Sequence, residues 1–547
     1  MTAEFGWFKL QLGRLYRFNH LMIPMNSTIS LTKNILPLVF FVHCLAIALT
    51  AKAAAAEVGR PNVLIAISDD QSWPHASAYG STLVNTPAFD RVAREGVLLN
   101  NAFCASPGCS PSRAALLTGR HTWEIEHAGT HASYFPARYA TFPDRLEKVG
   151  YFVGYTGKGW GPGDFKASGR NRNPAGPAFN AKGNGKVSSY VASFQDFMSK
   201  RPDGQSFYFW FGSHDAHRGY TKGSGLAKGM KLAQAEVPGF LPDTDEIRSD
   251  LLDYGFEVER FDADLAAMLD LLESQGELEN TLVIVTSDNG MPFPRAKASC
   301  YELGIHMPLA IRWPPRVPGG RKVDDLIGFV DLTATIYEAT GLAMDPELSG
   351  RSIMNVLASD ESGTVDASRD AVYAARERHS SSRYHSLSYP QRCIRTARIL
   401  YIRNLTPERW PAGSPEKFAQ ARWDGTGKLV VCQMGPAHGG YHDIDACPSL
   451  DFLIANREHP EWGHYLGLSV DKRPGEELFD ILEDPDCLNN LAENREFAET
   501  KALLAKRLID YLKSTGDARV TGNGDIWETY PRVSGLRWFP EPRTRLG

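Results

Sequence analysis

Short apolar runs alternate along this chain with stretches of helical periodicity, and several of the runs are apolar on both faces. Strands of that kind belong to mostly parallel sheets sandwiched between helices. The runs expected as strands are Asn62 to Ile67, Val97 to Phe103, Tyr151 to Tyr155, Ser206 to Phe211, Thr281 to Thr286 and Met307 to Trp313. Between them Pro87 to Glu95, Phe142 to Val149, Thr244 to Gln275 and Asp331 to Thr340 carry the period of a helix. A chain of 547 residues has room for such an α/β domain and a smaller second one.

The predicted organisation is a leader and signal peptide over 1–56, a catalytic domain over 57–370 and a smaller C-terminal domain over 371–547. Lys33 and Asn34 precede the apolar run Leu36 to Leu49, and Ala51 to Ala56 supply small residues, so cleavage is expected before Glu57. Residues 1–24 are long and aromatic-rich for a leader, and translation is expected to begin at Met25. The pattern implies a periplasmic or secreted protein, and the run is short for a stable membrane span. Seven cysteines follow the cleavage point, and a Cys432–Cys447 pair would close a short loop in an oxidising compartment. The Ser/Asp-rich stretch Ala358 to Arg369 reads as a linker, 407–475 as long surface loops, and Glu496 to Lys513 as an amphipathic terminal helix.

With 59 Lys and Arg against 64 Asp and Glu the net charge is -5, which gives no reason to expect nucleic acid or a membrane surface as a partner. Anion binding has to come from local clusters, and the densest is Cys109-Ser110-Pro111-Ser112-Arg113-Ala114-Ala115-Leu116-Leu117-Thr118-Gly119-Arg120. Ser110 suits an N-cap, Pro111 the first helical position and Gly119 the stop, which puts Cys109 just ahead of a short helix. Free amides and the positive end of the dipole favour an anion there, and Arg113 lies one turn further on. A thiolate phosphatase would need an arginine six residues after the cysteine, where Ala115 stands. A second signal is a pair of strand ends, Ser68-Asp69-Asp70 and Ser287-Asp288-Asn289. Ligands of open α/β sheets collect at such ends, and an all-oxygen set suits a hard cation such as Ca²⁺ better than zinc.

Here the sequence resembles the sulfatase family, whose modification motif is Cys-X-Pro-X-Arg continued by Leu-Thr-Gly-Arg. The resemblance implies an alkaline-phosphatase-like sandwich: a large mixed, mostly parallel sheet between helices, plus a C-terminal α+β domain with a short antiparallel sheet. It implies one Ca²⁺ held by Asp69, Asp70, Asp288, Asn289 and the modified residue 109. A histidine at the position of Asn289 would instead mark the two-zinc phosphatases of the same fold. A maturation enzyme of the family oxidises the cysteine to formylglycine (3-oxoalanine). One hydroxyl of its hydrate attacks sulfur, and the other then expels sulfate by re-forming the aldehyde. Lys158 and Lys297 are implied to neutralise the sulfuryl oxygens with Arg113, and His217 to protonate the leaving group.

Within that family the chain is similar to the N-sulfoglucosamine sulfohydrolase branch. The shared pieces are Ser287-Asp288-Asn289-Gly290-Met291-Pro292-Phe293-Pro294, His214-Asp215-Ala216-His217-Arg218 and Ser388-Tyr389-Pro390-Gln391-Arg392. This implies a sulfated glycan as substrate, with His214, Arg218, Arg378, His379 and Arg392 as candidate contacts, and the run of Arg376, Arg378, Arg383, Arg392 and Arg395 as a basic surface for a polyanion. Two departures stand out. Trp160 occupies the place of a histidine in Gly-Lys-X-His, which leaves His127 or His131 as a substitute base or proton transfer to water, and Lys297 stands where that branch carries arginine. An O-sulfatase of another polysaccharide, an arylsulfatase, a phosphodiesterase or phosphonate hydrolase, and an inactive glycan-binding relic remain alternatives. A homodimer is compatible with the sequence.

Overall fold

The computed structural model describes residues 60–184, 188–423 and 429–533. The expected leader, with its apolar run, lies outside these. These described residues form one compact unit. Its main sheet contains β1 (Asn62–Ser68), β2 (Val97–Phe103), β3 (Phe152–Gly157), β4 (Phe207–Gly212), β5 (Thr281–Ser287), β6 (His306–Arg312), β7 (Arg321–Val323) and β8 (Ile327–Gly328). The order is β3-β4-β1-β5-β6-β2-β7, with β8 also on β2. The run β3-β4-β1-β5 is parallel, and β6 is antiparallel to both β5 and β2. This is the mixed, mostly parallel sheet expected from the doubly apolar runs.

The period of two in β1 divides its side chains between two cores. Val63, Ile65 and Ile67 join one cluster, and Leu64 and Ala66 the other. Helices α2 (Cys109–Thr118), α3 (Phe142–Lys148) and α6 (Phe329–Thr340) cover the first face. The opposite face packs on α1 (Pro87–Glu95), α4 (Ser189–Lys200) and the C-terminal half of α5 (Asp245–Ser274).

A second, antiparallel sheet has the order β14-β11-β10-β9, from β9 (Val372–Arg376), β10 (Gln391–Arg395), β11 (Ile399–Asn404) and β14 (Glu476–Asp480). Ala374, Cys393, Ile402 and Phe479 extend the first core, while Ile394, Tyr401 and Leu478 pack on Leu504, Leu508 and Leu512 of α8 (Ala498–Ser514). The expected linker is tied down: the backbone amides of Val365 and Asp366 donate to Asp325, and buried Arg369 pairs with Asp331. Nor is 407–475 loop throughout. It contains the hairpin of β12 (Phe418–Trp423) and β13 (Leu429–Met434), and helices α7 (Pro448–Ala455) and Gly463–Val470. Of the expected Cys432–Cys447 pair, the Cys432 side chain lies outside the described residues. Cys447 is a free thiol that caps α7 by accepting from the Leu450 amide.

The two sheets meet through charge. Arg395 of β10 makes a bidentate pair with Glu302 at 2.9 Å on each arm, and His306 of β6 lies 3.0 Å from the same carboxylate. His306 stacks on Trp73 and Phe103, and all three partners of this triad are buried. Burial raises the Glu302 carboxyl, but Arg395 and His306 more than offset it and hold it at about 2. Because the folded carboxyl binds its proton less readily than the unfolded one, the stability this triad contributes is present above about pH 4.5 and lost as pH falls towards 2. Glu302→Gln should therefore cost about 3–5 kcal/mol at neutral pH, as an unpaired buried arginine does. Urea titrations should show the difference from wild type narrowing below about pH 4.5.

Candidate active site

Adjacent parallel strands β1 and β5 run in register to Ser68 opposite Ser287. The next residues on each, Asp69 and Asp70 on one and Asp288 and Asn289 on the other, must then leave the sheet side by side. The Asp70 amide donates to Asp288 Oδ1 at 3.1 Å, and Asn289 Nδ2 donates to Asp70 Oδ1 at 2.7 Å. All four side chains are buried. Helix α2 points its N-terminus at this point, with Cys109 Sγ 3.9 Å from Asp70 Oδ1. The helix begins two residues earlier than expected, because Gly108 and not Ser110 is its N-cap, and the Ser110 hydroxyl instead accepts from the Ala132 amide. Gly119 ends it in the left-handed conformation (φ 69), as the sequence suggests.

Three cations converge on these carboxylates. Arg113 Nε donates to Asp288 Oδ2 at 2.7 Å, and its Nη1 to the Lys158 carbonyl at 2.6 Å. Lys158, at the end of β3, reaches both oxygens of Asp69 at 2.7 and 2.6 Å. Lys297 Nζ lies 2.6 Å from Asp70 Oδ2 and 2.8 Å from Asp445 Oδ2. His217 Nε2 stands 3.8 Å from Asp70 on the half-exposed side.

Burial pushes Asp70 up, and the neighbouring carboxylates Asp69 and Asp288 add to it against Lys297 and His217. Asp69 is also raised by burial, yet Lys158, His217, Arg113 and Lys297 bring it well below the usual carboxylate range. Burial likewise drives the Cys109 thiol upward against the pull of Lys158 and Lys297. An unmodified Cys109 is thus a protonated thiol and a poor nucleophile.

Two buried polar atoms lack partners where a ligand would bring them. The carboxamide oxygen of Asn289 accepts no hydrogen bond, and Arg113 Nη2 donates none. An orphaned oxygen among three carboxylates fits a hard cation, and an orphaned guanidinium N–H beside Cys109 fits an oxyanion. Asp69, Asp70 and Cys109 place their ligand atoms within 4.8 Å of one another.

A cleft of 640 Å³ opens above this cluster, lined by Asp69, Lys158, His214, His217, Arg218 and Arg260 among others. His214 is exposed at its wall. Arg218 borders the cleft, but its guanidinium is paired with Asp250 and donates to the Pro292 carbonyl. His379 packs against Gly108, where an added Cβ would come 3.2 Å from its Nδ1, and stacks on His131. His127 is placed against Tyr134 and Tyr530.

The other predicted glycan contacts are not brought here. Arg392 is buried between Asp517 and Glu377, and Arg378 donates to the Tyr530 carbonyl. The expected basic surface is likewise absent: Arg376, Arg378, Arg383, Arg392 and Arg395 are all buried, and all but Arg378 pair with buried acids. Trp160 is buried and donates its indole N–H to the Ser110 carbonyl at 3.0 Å, so it braces the start of α2. Sequence reasoning missed Asp445, since nothing in the local pattern connects it with Lys297, 148 positions away.

The family profile described as Sulfatase matches residues 61–342, and that described as N-sulphoglucosamine sulphohydrolase, C-terminal, matches 296–406. An ulvan-active sulfatase of Formosa agariphila is 26% identical over 84% of this chain and 76% of its own length. The N-sulphoglucosamine sulphohydrolase of Homo sapiens is 25% identical over 85% of this chain and 93% of its own. A solved structure described as a complex with its substrate D-glucosamine-2-N,6-O-disulfate superposes with a TM-score of 0.59 at 19% identity, covering 86% of this chain and 100% of that one.

If Asp69, Asp70, Asp288 and Asn289 hold a cation, the melting temperature should depend on the metal. Ca²⁺ at a hundredfold excess over its Kd should add about 2.7 kcal/mol to the unfolding free energy. Asn289→Ala, which removes the orphaned oxygen, should lose most of that gain in scanning calorimetry with CaCl₂ against chelator. Equal shifts in both proteins would reject this ligand set.

Proposed function

Because the chain belongs to the sulfatase family, we propose that it is an exported enzyme that hydrolyses sulfate esters or N-sulfates of a glycan, with N-sulfoglucosamine of heparan-type chains as the preferred substrate. The observation that carries this reading is Cys109 at the mouth of α2, 3.9 Å from Asp70 and ringed by Arg113, Lys158 and Lys297. In this reading a maturation enzyme converts Cys109 to formylglycine, and Asp69, Asp70, Asp288, Asn289 and residue 109 hold one Ca²⁺. Bound there, the cation would polarise a sulfuryl oxygen and favour the ionised form of the attacking hydroxyl.

The chain's own groups divide the remaining work. Arg113 offers its free Nη2 to a second sulfuryl oxygen. Lys158 and Lys297 oppose the negative charge that builds on the sulfuryl group. His217, with Nδ1 2.5 Å from the Arg218 carbonyl, keeps Nε2 towards the cleft, where it can deliver a proton to the departing amine or alcohol. Buried Trp160 supplies no proton, so acid-base work at this end rests on His217. His214, Arg218 and His379 are the sugar contacts retained, since they lie at the cleft or against α2. The signal peptide over 1–56, the catalytic part over 57–370 and the C-terminal part over 371–547 belong to the same proposal. Among the described residues no helix is long and apolar enough to cross a membrane.

Parallel assays on N-sulfoglucosamine, O-sulfated monosaccharides and a phosphodiester test the reading. Turnover should be greatest on the N-sulfated sugar. O-sulfate turnover alone would move the substrate, and phosphodiester turnover alone would reject a sulfatase. Lys158→Ala should lower kcat by about 10²–10³-fold, the cost of one preorganised charge-stabilising donor.

A further inference from the structure

The segment after β13 returns to the catalytic centre between two anchors. Asp443 accepts from Arg376 and Arg383 at 2.5 and 2.6 Å and from the Ser380 amide at 2.9 Å. Ser449 donates to Asp250, which also pairs with Arg218. Between them Asp445, almost wholly buried, places its carboxylate against Lys297 and within 4.8 Å of the ligand atoms of Asp70 and His217. A loop fixed on both sides has thus delivered a fourth carboxylate to an anion pocket, where one more negative charge opposes binding. That placement needs a compensating use.

Charge balance supplies one, and it rests on the sulfatase reading above. Leaving His217 aside, Arg113, Lys158 and Lys297 face Asp69, Asp70, Asp288 and Asp445. With a divalent cation bound, this set carries one net positive charge. A sulfate ester or sulfamate carries one negative charge, whereas a phosphate monoester carries about two near neutral pH and above. Without Asp445 the pocket would carry two positive charges and match the phosphate.

We propose that Asp445 is a specificity-determining residue that tunes the pocket to singly charged sulfuryl groups and against phosphate monoesters. It acts through Lys297, whose ammonium it shares with Asp70, and through its own field at the site.

The test is calorimetric titration of the full chain carrying the thiol at 109, loaded with Ca²⁺ at pH 8, with methyl sulfate and with methyl phosphate. Wild type should prefer methyl sulfate. Asp445→Asn should shift the ratio of the two affinities about tenfold towards methyl phosphate, the scale of removing one charge from a partly screened site. Asp445→Glu, which keeps the charge, should stay within about threefold of wild type. An unchanged ratio in Asp445→Asn, with both anions still competing for the site, would overturn the proposal. So would loss of Ca²⁺ affinity with both anions weakened equally, which would make Asp445 a cation ligand. A wild-type chain that prefers methyl phosphate would instead overturn the sulfatase reading and this inference together.

Discussion

Three carboxylates with almost no contact with water, Asp69, Asp70 and Asp288, share one end of the sheet. Their proximity follows from the parallel, in-register pairing of β1 and β5, which leaves no other place for the residues after Ser68 and Ser287. Such a cluster is stable only if it is neutralised. The surrounding architecture meets that requirement: α2 carries Arg113 to Asp288, Lys158 just past β3 pairs with Asp69, and the turn after β5 brings Lys297 to Asp70. The same positive groups that allow the carboxylates to be buried are those an anionic substrate would meet.

The C-terminal part is bound to this centre by polar contacts as well as apolar ones. Glu302, His306 and Arg395 bridge the two sheets, and Asp443 gathers Arg376 and Arg383. Arginines that look in the sequence like a surface for a polyanion are interior struts. What the C-terminal part gives the catalytic end is one carboxylate, Asp445, on the segment between β13 and α7 that Arg376 of β9 anchors through Asp443.

How far this could be read beforehand depended on whether the signal was local. The six longer strands of the main sheet and the helices α1, α3, α5 and α6 were legible to within a residue or two, because both-face apolarity and the helical period are written into short windows, whereas α4 was missed. Cys109, Arg113 and the two acidic strand ends were legible too, because each sits at a strand or helix terminus with its own punctuation. The short strands β7, β8 and β9, the pairing of Arg392 with Asp517 and the approach of Asp445 to Lys297 were not. Each depends on a partner more than a hundred positions away or on an edge too short to show a period. Counting arginines along the chain also could not tell a solvated face from a buried network, since alternation in a strand places neighbours on opposite sides.

The central claim is that residue 109 acts as an aldehyde hydrate beside a buried, oxygen-lined cation site. Mass spectrometry of the peptide spanning Ser106 to Arg113, from preparations with graded co-expression of a maturation enzyme, tests it most directly. The account predicts that sulfatase turnover rises in proportion to the fraction of residue 109 present as formylglycine. Full turnover from protein whose Cys109 remains an intact thiol would contradict it.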